Sequence, residues 1–354
     1  MRWRPVVSIS IVVAALAAAF VEMPGQAVRL YGEWFYPRLQ ATLTPISNLT
    51  SLPLFDITWV GIVLAVMVML WLAVRRAWRA RSLRALGSTL VTVATIAAGL
   101  YLWFALAWGY NYRRPGVEAA LPRFSAARVT PEALRALAER AVLRSNELYA
   151  GAHAQGFPAA HNVPGALLDS LHSVEHSLGR TRPTMPSVPK RPLTAPYMRA
   201  VGVSGMLAPL MLETYLNPDL TGPERPYVLA HEWAHLSGFA PEEDASFVGA
   251  VAALRADVPS QYSAWLSLLS DAAMRLPAPA RREVLAPLAA GPRRDLDEIA
   301  ERLRFRVAWL DRASWVAYDR AIKSQGAHAG VAGYGRVIEL LLGSGVLDGE
   351  DIRR

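Results

Sequence analysis

Apolar and polar positions divide the chain into two regimes. The first 110 residues carry three long apolar runs: Val6 to Val21, Ile57 to Val74 and Leu90 to Tyr110. The second and third are long enough to cross a hydrocarbon core as helices. The third closes in Tyr101, Trp103, Phe104, Trp108 and Tyr110, an aromatic cluster expected at a lipid–water interface. Val6 to Val21 follows Arg2 and Arg4 and reads either as a signal-peptide core or as a first membrane helix. Two more spans follow, and no clear A-x-A site precedes a polar start, which favours a retained helix.

Between the second and third runs stand Arg75, Arg76, Arg79, Arg81 and Arg84. The positive-inside rule places them in the cytoplasm with the N-terminus, and everything after Tyr110 outside. Read as a plain solvated basic face, they fit the same topology.

From Asn111 onward prolines and charges are dispersed among amphipathic stretches, the pattern of a globular domain long enough to bury its own core. The expected architecture is a mainly α membrane protein: residues 1–110 hold three transmembrane helices, and residues 111–354 form a mostly helical extracytoplasmic domain with a possible small sheet at Met198 to Leu212. Thr130, Pro131 and Glu132 signal a helix start, with helical spacing through Tyr149. Arg180 to Pro196 carries five prolines and reads as an extended connection. Ala280 to Leu310 reads as helical with a solvated charged face. Ser204 to Leu212 fits an edge strand along a cleft or plain core.

Composition sharpens this picture. A hydrophobic content of 53% is high for a purely soluble enzyme. The net charge of +8 is not gathered into a basic patch interleaved with stacking aromatics, which argues against a nucleic-acid partner. With no cysteine in the chain, disulfides, thiol nucleophiles and Cys-ligated metals are excluded.

The candidate chemistry lies in His231-Glu232-Trp233-Ala234-His235, inside the helix-forming run Tyr227 to Leu236, with Pro223 and Glu224 in front and Gly238 behind. A spacing of four puts both imidazoles on one helical face, β-carbons about 6 Å apart, so that their nitrogens converge on one tetrahedral zinc at about 2.0–2.1 Å. Glu232 lies about 100° round the helix, beside a metal-activated water without being a ligand, and is the natural general base. Leu229, Trp233 and Leu236 give the helix an apolar side, which sets the motif at a core boundary.

The third ligand has several candidates. Pro241 opens a helix whose first turn holds Glu242, Glu243 and Asp244, although acidic residues favour that position through the helix dipole alone. Metzincins carry a third histidine where this chain has Pro241, so a carboxylate must serve instead. Glu242 is the first choice and Glu243 the second, with Ser246 four residues past Glu242 as a supporting group. His172-Ser173-Val174-Glu175-His176 matches the inverted H-x-x-E-H pattern and is a rival, but it lacks the following glycine turn and acidic helix start.

These residues resemble the bacterial membrane family known as domain of unknown function 3810, nearly end to end. The resemblance is carried by Leu52-Pro53-Leu54-Phe55-Asp56, by Trp108-Gly109-Tyr110-Asn111-Tyr112-Arg113, and by His231 to Phe247 with Gly238-Phe239 and Glu242-Glu243-Asp244-Ala245-Ser246. Ser204-Gly205 with Pro209, Glu213 and Asn217, and Gly333-Tyr334-Gly335-Arg336, add weaker matches. The chain departs from the family at Ser246, where asparagine is usual, and at Leu207-Ala208-Pro209-Leu210, where a bulkier aromatic pattern is usual. The resemblance implies three membrane helices in a bacterial inner membrane and a metallopeptidase-like outer, periplasmic domain.

The resulting expectation is a membrane-anchored metallopeptidase of the gluzincin type acting on a peptide or protein substrate. Zn2+ is held by His231, His235 and Glu242, while Glu232 relays a proton from water to the leaving amine. An oxyanion donor is also needed, and Tyr262, Tyr318, Tyr334, Arg336 and His328 carry suitable groups. The alternative is a non-catalytic zinc-containing membrane protein that binds a peptide or protein partner, which the intact Glu232 argues against. A transporter is disfavoured, since the spans carry neither intramembrane charges nor inverted repeats.

Overall fold

The structure, a computed structural model, describes residues 3–325, 336–349 and 352. The membrane part comprises α1 (Trp3–Phe20), α2 (Gly25–Leu30), α3 (Tyr36–Asn48), α4 (Leu54–Ala80) and α5 (Arg84–Ala107). The remainder runs α6 (Pro131–Gln155), α7 (Gly165–Ser177), α8 (Ala195–Val201), β1 (Gly205–Ala208), β2 (Glu213–Leu216), α9 (Arg225–Leu236), α10 (Glu242–Leu254) and α11 (Val258–Arg275). It closes with α12 (Ala278–Leu285), α13 (Ala290–Leu303), α14 (Ala308–Ser324) and α15 (Val337–Ser344). The chain is thus mainly helical.

α4 and α5 are each long and apolar enough to cross a membrane, and they extend the expected spans, 57–74 and 90–110, to 54–80 and 84–107. The third span stops at Ala107 because Trp108 leaves helical geometry and Gly109–Arg113 tightens into a 3₁₀ turn. The first run behaves differently. α1 qualifies as a span only together with the helical stretch Gly25–Asn48, from which it bends by 99°.

That second arm, on the membrane side of the boundary expected at residue 110, packs against the outer helices. The Tyr36 hydroxyl donates to the Leu236 carbonyl at 2.9 Å, Gln40 to Met185 at 2.7 Å and Thr44 to Leu212 at 3.2 Å. Gln40 and Thr44 are buried because the outer domain supplies their partners, while the buried Ser47 hydroxyl turns back to the Thr44 carbonyl at 3.0 Å.

Outside the spans one core joins α6, α7, α9, α10 and α11, with α11 laid along α6 and α10 along α9. Thr130 caps α6 by accepting from the Ala133 amide at 3.1 Å, ahead of Pro131 in the first turn. α9 and α10 approach closely because Gly249 has no side chain, and a β-carbon there would stand 2.8 Å from the His231 amide nitrogen.

The expected sheet is real but displaced. Met198 lies in α8, and the hairpin pairs Gly205 with Leu216 through Ala208 with Glu213. The proline-rich segment runs extended and adds one parallel bridge, Lys190 to Tyr215. The charged stretch 280–310 divides among α12, α13 and the start of α14.

Candidate metal centre

The centre is built where α9 ends and α10 begins. Trp233, Leu229 and Leu236 are buried on one side of α9, and the Trp233 indole donates to the Ser187 carbonyl at 3.0 Å, so the opposite side carries the motif. α9 ends in a Schellman turn: Gly238, at φ +85°, lets the Phe239 amide reach back to the Ala234 carbonyl at 3.2 Å. The same turn aims the Phe239 carbonyl at Nδ1 of His235, 2.9 Å away.

On the other histidine, Ser246 Oγ stands 3.3 Å from Nδ1 of His231. With both Nδ1 atoms engaged, both Nε2 atoms are left to face inward. They meet Glu242, whose Oε2 lies 3.3 Å from Nε2 of His231 and 3.3 Å from Nε2 of His235.

These two distances fit a tetrahedral cation. Bonds of about 2.0–2.1 Å would separate ligand atoms by roughly 3.3–3.4 Å. Glu242 Oε2 is buried and makes no well-formed hydrogen bond, the mark of an oxygen oriented toward something other than a protein donor. Its other oxygen accepts from the Tyr318 hydroxyl at 2.5 Å, which fixes the carboxylate plane. Among the described residues, His231, His235 and Glu242 form the group able to hold a metal.

The three acidic residues opening α10 diverge. Glu243 turns toward Arg336, 4.0 Å away, and Asp244 accepts from the Val117 amide at 3.0 Å. Neither joins the histidines. The rival H-x-x-E-H segment is a structural clamp: His172 pairs with the Thr184 carbonyl at 2.9 Å, and Glu175 accepts from the Thr184 amide at 3.1 Å and from Ser237 at 2.5 Å. His176 is exposed.

Glu232 points from α9 toward β1, and its Oε2 is buried without a partner. Burial pushes its carboxyl up to about 8; His235 opposes the rise and Glu242 adds to it. Glu242 is the reverse case: burial works to raise it, but His235 and His231 hold it well below the usual carboxylate range.

Both carboxylates open onto a cavity of about 480 Å³ with mostly apolar walls. Its lining includes β1, as the edge-strand expectation required, together with Tyr112, Trp108, Phe104 and Tyr101, which motif reasoning had not assigned to the site. The Trp108 ring stands edge-on to His235 with centroids 5.9 Å apart. The signal for Trp108 and Tyr112 lay in the Trp108 to Arg113 motif, and that for Tyr101 and Phe104 in the aromatic cluster that closes the third apolar run.

Of the candidate oxyanion donors among the described residues, Tyr318 alone lines the cavity. Tyr262 bonds Asp295 in a separate cluster, and Arg336 pairs with Glu118 at 2.7 Å. His328 and Tyr334 lie outside the described residues.

The family model described as "Protein of unknown function (DUF3810)" matches residues 31–342, which include the two spans, the hairpin and the whole metal centre. The chain belongs to this family. No curated protein and no solved structure matches it. The family match begins at Tyr31, so it includes the arm whose Tyr36 reaches the end of α9.

Proposed function

We propose that this chain is a membrane-anchored zinc metallopeptidase whose metal is held by His231, His235 and Glu242. The observation that carries the reading is the equal 3.3 Å separation of Glu242 Oε2 from both imidazole Nε2 atoms, in a buried setting where that oxygen makes no well-formed hydrogen bond. Zinc bound there would supply Lewis acidity and a water acidified towards neutrality. Glu232 accepts the proton as the water oxygen adds to the substrate carbonyl carbon. It then delivers the proton to the amide nitrogen as the C–N bond breaks, leaving a carboxylic acid and an amine.

β1 has β2 as its strand partner on one side and lines the cavity, so an extended substrate can lie along it through backbone hydrogen bonds. Tyr318 acts through Glu242 as a positioning residue. With the arginines around the junction of α4 and α5 in the cytoplasm, the cavity faces the periplasmic side of the bacterial inner membrane.

Metal analysis of purified wild type beside His231→Ala and Glu242→Ala tests the site. About one zinc per chain, lost in both variants, supports it; metal indifferent to both changes removes it. Peptide hydrolysis in Glu232→Gln separates catalysis from the non-catalytic alternative, in which that variant would function as wild type.

A further inference from the structure

The walls of the metal cavity continue into the membrane part. Tyr101 and Phe104 belong to α5, one of the two spans, and both line the cavity. At a rise of 1.5 Å per residue they lie roughly 9 Å and 4–5 Å inside the helix end at Ala107. The cavity therefore reaches down to the last turns of a lipid-embedded helix.

The opposite wall is α14, whose Asp311, Ser314, Trp315 and Tyr318 face the cavity. The outer side of α14 and the turn before it carry Phe305, Trp309 and Val316, at 65%, 66% and 50% exposure. Arg304, Arg306, Arg312 and Arg320 are interleaved with them. Aromatics and arginines in this mixture are the composition of a helix lying in a lipid interface, and in plain water so large an apolar patch would be a liability.

Two contacts set its level. Tyr197, itself exposed, shares a 2.7 Å hydrogen bond with Ser314 of α14. Leu193, also exposed, donates its amide to Asp56 at 2.6 Å, in the first turn of the span α4. α14 is thus tied through α8 and the residues before it to the outer end of one span, and it shares the cavity with the outer end of the other.

We propose that the cavity receives its substrate from the bilayer: a polypeptide anchored in the same membrane, hydrolysed where it emerges from the lipid between α5 and α14. The apolar and aromatic residues of such an emerging segment match the walls formed by Tyr101, Phe104, Val201, Met206 and Trp315. This substrate class rests on the metallopeptidase reading; the opening of the cavity to lipid does not.

The full chain, zinc-loaded and reconstituted in lipid vesicles, offers two readouts. Because it has no cysteine, Met206→Cys places a single thiol on the cavity wall, with Glu139→Cys as an exposed reference on α6. Relative to that reference, a maleimide on a lipid-partitioning alkyl chain is expected to outpace a charged, water-soluble maleimide at Met206→Cys by about tenfold. A ratio no higher than the reference overturns the lipid opening. The second readout compares one cleavable segment with and without an apolar transmembrane anchor, and the anchored form is expected to show about tenfold or more higher kcat/KM. Equal cleavage of the free segment overturns the proposed substrate class and leaves the peptidase reading intact. Hydrolysis of neither form sinks the peptidase reading and the substrate class with it, while the labelling ratio still decides whether the cavity opens to lipid.

Discussion

Gly205 of β1 lies so close to Glu232 that a β-carbon on it would stand 2.5 Å from Oε1 and 2.8 Å from Cγ. The strand can approach the carboxylate only because the residue there has no side chain. Gly205→Ala must push Glu232 aside, and a displacement of this size is expected to lower kcat/KM about 100-fold. Metal content should be unchanged, because neither group is a proposed ligand. Full activity in this variant would show that Glu232 does not act from the position described.

Removing the carboxylate itself isolates proton transfer. Glu232→Gln preserves shape and is expected to retain zinc while turnover falls by about 10²–10⁴-fold. Parallel metal stoichiometry and peptide hydrolysis on one preparation would check it.

The group behind His231 should tune metal affinity. Ser246→Ala leaves Nδ1 of His231 without its 3.3 Å neighbour, and affinity is expected to fall about 10–100-fold in a chelator competition titration. Ser246→Asn, which keeps a polar group beside the ring, should hold affinity near that of wild type. Identical affinities in all three proteins would mean that α9 alone orients the ring.

The grouping of His231, His235 and Glu242 was legible because its determinants are local. The i, i+4 spacing of His231 and His235, the glycine at Gly238 and the acidic start of α10 all act within a few turns of one another, and so does the choice of Glu242. The apolar runs of α4 and α5 were legible for the same reason. What was not legible depends on distant partners. α3 buries Gln40 and Thr44, polar residues that sequence alone would assign to water, because backbone groups far along the chain satisfy them. The hairpin register was equally hidden: it is fixed by Gly205 meeting Glu232 and by the buried Glu213, contacts without local periodicity.

Asp311 carries a buried Oδ1 without a partner on the wall of the mostly apolar cavity. A cationic group on the substrate would satisfy it, and a charge-assisted hydrogen bond of about 1.5–3 kcal/mol corresponds to roughly 10- to 150-fold in kcat/KM. Peptides with lysine near the cut are therefore expected to be preferred over matched glutamine peptides. Asp311→Asn should erase most of the difference, and an unchanged preference would assign Asp311 a structural role.

Lys190 and Glu213 form a fully buried ion pair at 2.5 Å. Glu213 also accepts from the amides of Leu54 and Phe55 at the start of α4, at 3.3 and 3.0 Å. Lys190→Met would leave that carboxylate uncompensated, and a loss of about 3–5 kcal/mol is expected. Denaturation of the solubilised full chain would measure it, and a loss below about 1 kcal/mol would mean that the three donors remaining around Glu213, the Leu54 and Phe55 amides and the Tyr215 hydroxyl, suffice.

Tyr36 caps the carbonyl of Leu236, the last residue of the metal helix, from a position that precedes both spans. A protease that severed the chain after residue 110 would therefore release an outer half lacking the arm that finishes its own metal helix. The candidate metal centre and its membrane tether are parts of one folded object, so metal binding lost by shedding from the membrane would not be recovered in the released fragment.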